Sequence, residues 1–349
     1  LDPTVAIVSF RLGCPDGVSV EAAKWAAALA SLGFRVVTVA GEGPVDRVLP
    51  GLAIAAPDPP TPADIDDALA DADLVVVENL CSLPLNRGAA RSLVAALGDR
   101  PAVFHHHDLA WQRAPFTDVV GFPPVGPTWA HVTVNYRTRA ELVARGVTAT
   151  VIPNCFDVDV NAGERASTRT AIGVDADARL LVQPTRAIAR KNIPCAVRLA
   201  EDLGATYWLP GAAEEGYGPE LARLLGSARV PTVRGLPHGI SMADAYAAAD
   251  AVAFPSTWEG FGNPTVESAI HRRPLAVGRY PVAREIAAFG FRWFPADDHR
   301  PLAAWLDAPD VALLDANQAI ARRHFSLASL QRRLARLLGD AGWAPSWCP

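Results

Sequence analysis

The chain has 349 residues, half of them hydrophobic and a fifth charged, with a formal net charge of −5. That length suffices for two domains with a core each, and the composition is that of a soluble globular enzyme. No basic stripe with interleaved aromatics points to nucleic acid, no apolar run approaches the ~20 residues of a membrane span, and no leader segment is expected. The sequence begins at Leu1, so an initiator Met is expected to have been trimmed. In chain order, residues 5–10 form a continuous apolar strand, followed by a loop with Gly13 and Gly17. An Ala-rich helix over 19–32 carries Trp25, Leu29 and Leu32 at helical spacing and stops at Gly33. Residues 34–40 are the next strand, which makes a βαβ unit without G-x-G-x-x-G, so a nicotinamide-cofactor fingerprint is missing.

Further strands are expected at 74–77 and 102–104, of the apolar kind found in parallel sheets covered on both faces. Ligands of such sheets bind beyond the carboxyl ends of the strands. His105, His106, His107 and Asp108 stand there. Adjacent residues of a strand point to opposite sides, so one ion does not easily collect all of them. The reading adopted is a single histidine, His107, aimed into a cleft, with its neighbours satisfied structurally and no metal. Residues 132–134 form another strand, 138–145 a helix capped by Thr138, and 150–152 a last strand before Pro153-Asn154. Asp157 and Asp159 make a D-x-D pattern, read as structural because it falls in a polar linker over 156–178.

The alternation then restarts. A strand at 180–183 leads into a loop, 184–192, that clusters Arg186, Arg190 and Lys191, and a helix follows over 193–203. Strands come at 206–209 and 230–233, a helix with Ser241 as its cap over 241–249, and a strand at 251–254. The next stretch carries Glu259 and Glu267 with seven residues between them, Gly260-Phe261-Gly262, then Asn263 at an N-cap position and Pro264 at the first helical one. A helix start offers amide groups and a positive dipole end to a phosphate. Strands at 275–277 and 291–294 complete a second doubly wound domain. An amphipathic helix over 327–338 carries Leu330, Leu334, Leu337 and Leu338 on one side, and residues 343–349 form an irregular tail. The five cysteines, Cys14, Cys81, Cys155, Cys195 and Cys348, are odd in number and not closely paired, which argues for a reducing cytoplasm and against a disulfide frame.

These features together resemble the type-B glycosyltransferases, and more narrowly the retaining, sugar-nucleotide-dependent glycosyltransferase family 4. The resemblance rests on the E-x₇-E pattern of Glu259 and Glu267 with its intervening GFG, on Arg186 and Lys191, on His107-Asp108, on Pro153-Asn154 with Asp157, and on Pro255-Ser256. It implies two Rossmann-like α/β domains facing across a cleft: an acceptor-side domain over 1–155 and a nucleotide-sugar domain over 179–323. The helix and tail over 324–349 are then expected to return to the first domain. It implies that Glu267 holds the ribose, that Glu259 and the amides around Phe261, Gly262 and Asn263 hold the donor sugar, and that Arg186 and Lys191 neutralise the diphosphate. His107 is then placed beside the transferred sugar and the acceptor, and Gly17 near the donor. Two departures from the family pattern stand out. Its paired glycines in the first loop are here Asp16-Gly17, and Pro264 supplies no N–H.

The expected reaction moves a hexose or related sugar from a UDP-sugar, or a GDP-sugar, to a small-molecule or glycan acceptor with retention. No cofactor or metal is expected, because fixed cations stabilise the leaving diphosphate. A sugar-nucleotide epimerase of the same architecture is separated by product analysis. A non-catalytic nucleotide-sugar-binding protein has no need of the Arg186 and Lys191 pair. An oxidoreductase is disfavoured by the missing glycine fingerprint.

Overall fold

The apolar runs become strands because each of their positions is buried on one face or the other of a parallel sheet. The computed structural model describes residues 2–14, 16–160 and 162–344. Among these, the first sheet has seven strands: β1 (Thr4–Arg11), β2 (Arg35–Glu42), β3 (Arg47–Val48), β4 (Leu74–Glu78), β5 (Ala102–His106), β6 (Trp129–Thr133) and β7 (Ala149–Val151). Their order is β3-β2-β1-β4-β5-β6-β7. The second sheet has six: β8 (Leu180–Val182), β9 (Thr206–Leu209), β10 (Thr232–Arg234), β11 (Ala251–Phe254), β12 (Leu275–Val277) and β13 (Phe294–Pro295), in the order β10-β9-β8-β11-β12-β13. Every pairing is parallel. In each sheet the order reverses beside the first strand, and an open α/β sheet presents its ligand crevice at such a point. The loops after β1 and β4 flank it in one sheet, and those after β8 and β11 in the other.

The chain divides into two compact units. One runs to Phe156 and resumes at Leu327; the other is Asp157–Ser326. In the first, Leu330, Leu334, Leu337 and Leu338 of the helix Leu327–Asp340 share a core with Trp25, Leu29, Val76 and Ile152. Trp343 packs at its edge, and residues 345–349 of the expected tail lie outside the described residues.

Of the stretch expected as a linker, 156–178, the part from Asp157 onward belongs to the second unit. Its helix Arg165–Ala171 has little apolar surface, and two arginines fasten it. Arg169, buried, donates to the Ala248 carbonyl at 2.9 Å and pairs with Asp250 at 2.7 Å. Arg165 reaches the carbonyls of Ala247, Ala248 and Ala249 and the same Asp250. These carbonyls end the helix Met242–Ala248, where backbone acceptors lack intrahelical partners. Ser241 caps the other end of that helix, in a reciprocal box with Asp244. Asn135, not Thr138, caps the helix Tyr136–Val143, because its side chain accepts from the Thr138 N–H at 2.6 Å. Among the described residues no helix is long and apolar enough to cross a membrane, and Cys14, Cys81, Cys155 and Cys195 are free thiols.

Candidate active site

The first unit gathers its polar side chains at the carboxyl ends of β1, β4 and β5. Glu78 closes β4 and is fully buried. Its carboxylate meets His105 Nδ1 at 2.9 Å and His107 Nε2 at 3.0 Å. Strand alternation puts these two rings on one side of β5 and His106 on the other, where His106 bonds Ser82 Oγ at 2.6 Å and His131 at 3.0 Å. His105 stacks on Trp25 with ring centroids 4.2 Å apart. Burial by itself would raise the Glu78 carboxyl, but the two imidazoles outweigh it and bring it to about 2. Burial lowers His105 further than its pairing with Glu78 restores it. His107 is also penalised by burial, yet its bond and charge pairing with Glu78, helped by Glu21 and Asp108, raise it.

The same strand end grips His107 through its backbone. Asn79, at φ +58°, accepts from the His107 N–H at 3.2 Å and donates to Asp108 at 3.4 Å. Asp108 is paired with Arg113. Among the described residues, Glu78, His105 and His107 form a group whose ligand-type atoms lie within 4.8 Å of one another. In the loop after β1, Asp16 caps the helix Gly17–Ser31 by accepting from the Val18 and Ser19 N–H groups, both at 3.1 Å. The helix-start amides that an anion would use are thus turned to a fixed carboxylate. A Cβ on Gly17 would meet nothing within 4 Å, so the space above it is open.

In the second unit the loops after β8 and β11 are tied together. The Thr257 N–H donates to the Arg190 carbonyl at 2.9 Å, and Asn192, in the left-handed region at φ +51°, donates to the Pro255 carbonyl at 3.3 Å. Gln183, buried at the end of β8, accepts from Tyr207 and donates to the Lys191 carbonyl. This scaffold brings Glu259 between two cations, Arg190 at 2.7 Å and Lys191 on its other oxygen. Burial raises the Glu259 carboxyl, but the charges of Lys191 and Arg190 overcome that and hold it below its ordinary value. Arg186 is exposed and pairs with Glu214 at 2.6 Å. Three cations against two carboxylates leave an excess of positive charge on this loop.

The E-x₇-E stretch departs from expectation in detail. Asn263 has helical angles, φ −46° and ψ −41°, and its side chain caps nothing. The N–H groups of Thr265, Val266 and Glu267 are bonded back to Gly262 and Asn263. The start of helix Pro264–Ile270 is therefore a closed turn, not a row of open amides, and the charged side chains are the source of positive potential. Phe261 is a core aromatic against Phe325, and its carbonyl accepts from Tyr280 Oη at 3.1 Å. Gly262 has φ +99°, and a Cβ there would sit 2.2 Å from Tyr280 Oη. Glu267 accepts from Tyr246 Oη at 2.8 Å. Asp157 and Asp159 stay apart from this cluster. Asp157 accepts from the Asp159 N–H, and Asp159 pairs with Arg322.

The structure thus assembles Lys191 with Glu259, and His107 with two residues, Glu78 and Asn79, that the pattern of the sequence had not singled out. Arg190 had been seen only as a member of a charge cluster, whereas it shares Glu259 with Lys191. The one signal for Glu78 is its place, an acidic residue ending an apolar strand run.

No family model matches the chain. Two curated relatives, mannosylglucosylglycerate synthases of Petrotoga mobilis and Thermotoga maritima, are each 25% identical to it. The alignments cover 82% of this chain and 85% of the first relative, and 95% of this chain and 99% of the second. Among solved structures, Anabaena HepE in complex with UDP and glucose superposes with a TM-score of 0.75 at 17% identity, over 97% of this chain and 100% of that one. Sucrose-phosphate synthase from Thermosynechococcus elongatus gives 0.72 at 15% identity over 98% and 100%. WaaG, a glycosyltransferase involved in lipopolysaccharide biosynthesis, gives 0.66 at 16% over 95% and 99%. With two parallel-sheet α/β domains that match these structures over nearly their whole length, the chain has the GT-B fold of glycosyltransferases.

Proposed function

We propose that this protein transfers a sugar from a nucleotide-diphosphate sugar to a small-molecule or glycan acceptor, with retention of configuration and without a metal, in the manner of glycosyltransferase family 4. The observation that carries the reading is the Arg190–Glu259–Lys191 arrangement at the carboxyl end of β8, beside the exposed Arg186. As the glycosidic bond breaks, charge grows on the leaving diphosphate, and preorganised cations stabilise it most at that moment. Arg186 offers a planar fork to phosphate oxygens and Lys191 a point charge. Glu267, backed by Tyr246, accepts from the ribose hydroxyls. Glu259 and the chain at Phe261, Gly262 and Asn263 stand against the donor sugar. The acceptor attacks on the face the diphosphate leaves, within an ion pair, and the departing phosphate takes its proton. His107 stands beside the transferred sugar. Gly17, with open space above it, is placed near the donor, whereas Asp16 discourages phosphate at that loop.

A UDP-sugar is the first donor to test, in keeping with the UDP and UDP-glucose complexes of HepE. A GDP-sugar is the second. The product in the relatives' name makes a small glycoside of glycerate the first acceptor to try. A cytoplasmic location is part of the proposal, and the free thiols of Cys14, Cys81, Cys155 and Cys195 fit it. Calorimetry with UDP, GDP and ADP ranks the nucleotide, and turnover of the matching sugar nucleotides follows. An α-sugar donor giving an α-linked product supports retention. No binding of any nucleoside diphosphate, or an epimerised sugar nucleotide as the only product, defeats the reading.

A further inference from the structure

We infer that Glu78 is the positioning residue for His107: it holds the ring by Nε2 and so leaves Nδ1 as the nitrogen that meets the ligand. The inference rests on the proposed placement of His107 beside the transferred sugar. A fully buried carboxylate is costly unless it is paired, and an apolar residue of similar size would serve the packing at least as well. Among the described residues the Glu78 carboxylate meets no lysine or arginine within hydrogen-bond reach, and its partners are two imidazoles. That choice of partners fixes protons as well as positions. An ionised carboxylate only accepts, so each ring nitrogen facing Glu78 carries its hydrogen. For His105 this is Nδ1, and its Nε2 is buried without a partner against the Trp25 stack. For His107 it is Nε2, and His107 Nδ1 makes no hydrogen bond to any described residue, while the side chain is 15% exposed.

The two attachments of His107 come from consecutive residues at the end of β4. Glu78 takes the ring, and Asn79 takes the backbone N–H from a left-handed conformation that an Asn tolerates better than most residues. A ring held at one nitrogen and at its own backbone has its remaining nitrogen aimed. This is the logic by which an outer hydrogen bond sets the tautomer of a working histidine. Trp25 stacks on His105, the second imidazole that Glu78 holds, and so fixes that partner of the carboxylate as well.

Three proteins are compared in sugar-nucleotide turnover: the wild type, His107→Ala and the isosteric Glu78→Gln. Loss of a histidine's outer hydrogen-bond partner costs on the order of 10- to 100-fold where such histidines ligate a metal, and the same order is taken for a histidine that meets a sugar. The expected result is a fall in kcat of that size for Glu78→Gln, with donor KM changed less than about twofold on the same view that only positioning is lost. The pH profile of kcat is expected to move to lower pH, because His107 loses its carboxylate. If His107→Ala lowers turnover while Glu78→Gln keeps both kcat and profile, the inference is overturned and the function stands. If His107→Ala is itself silent, the placement of His107 falls, and the inference with it. A nitrogen NMR spectrum of the neutral His107 ring in the wild-type protein tests the same point without a variant. A proton on Nε2 with a bare Nδ1 is expected, and the opposite tautomer contradicts the inference.

Discussion

Glu259 spends both oxygens on cations, so removing either partner leaves charge in a nearly closed site. Lys191→Ala is expected to lower stability by about 1–3 kcal/mol, less than a full unpairing because Arg190 stays on the other oxygen. Urea melts of the variant check this. Arg186→Ala breaks only an exposed pair, and its melting curve is expected to match the wild type. Glu267→Gln is expected to weaken nucleotide binding by roughly 1.5–3 kcal/mol, measured by calorimetry, and unchanged affinity removes Glu267 from the ribose. The Glu78–His107 pair carries a pH signature. Glu78 is depressed from 4.5 to about 2, so its contribution is present above 4.5 and lost as pH falls towards 2. His107 is raised above 6.5, so its contribution is full below 6.5 and lost as pH climbs through the raised value. The Tm gap between wild type and Glu78→Gln is therefore expected to be widest between pH 4.5 and 6.5. A gap that does not vary with pH contradicts the charged pair.

Elements that were legible in the sequence are those whose cause is local. The strands before the site loops read as apolar runs because every position is buried, and Ser241 reads as a cap because its partner Asp244 lies three residues on. Elements held by distant partners were not. The helix Arg165–Ala171 has no apolar stripe to betray it, since Arg165 and Arg169 fasten it to Asp250, some eighty residues away. Asn263 sits where a cap belongs, yet the turn is closed by backbone bonds to Gly262 and Asn263, which no residue type announces. Glu78 finds its histidines only when β4 pairs with β5. Gly262 was legible as a close approach, and the structure shows Tyr280 as one such neighbour. Gly262→Ala is accordingly expected to cost roughly 1–3 kcal/mol through overpacking and left-handed strain, read from chemical denaturation. A stable variant with poor donor binding would instead mean that the glycine makes room for the donor.

At the scale of the molecule, each unit presents its polar residues at the carboxyl ends of its own parallel sheet, where open α/β sheets take ligands. The first contributes a histidine held by a buried glutamate, the second a carboxylate-bound pair of cations. Because the cations are side chains, turnover is expected to survive exhaustive chelation. Loss with EDTA and recovery with Mn²⁺ or Mg²⁺ would direct attention to Glu78, His105 and His107 as a metal group. The central claim is that Lys191 and its loop stabilise the leaving diphosphate. The most direct test is steady-state turnover of the preferred sugar nucleotide by Lys191→Ala, run at a temperature where its melting curve shows it folded. The account predicts a kcat lower by on the order of 10²–10³. A variant that keeps full kcat and only raises KM would contradict it.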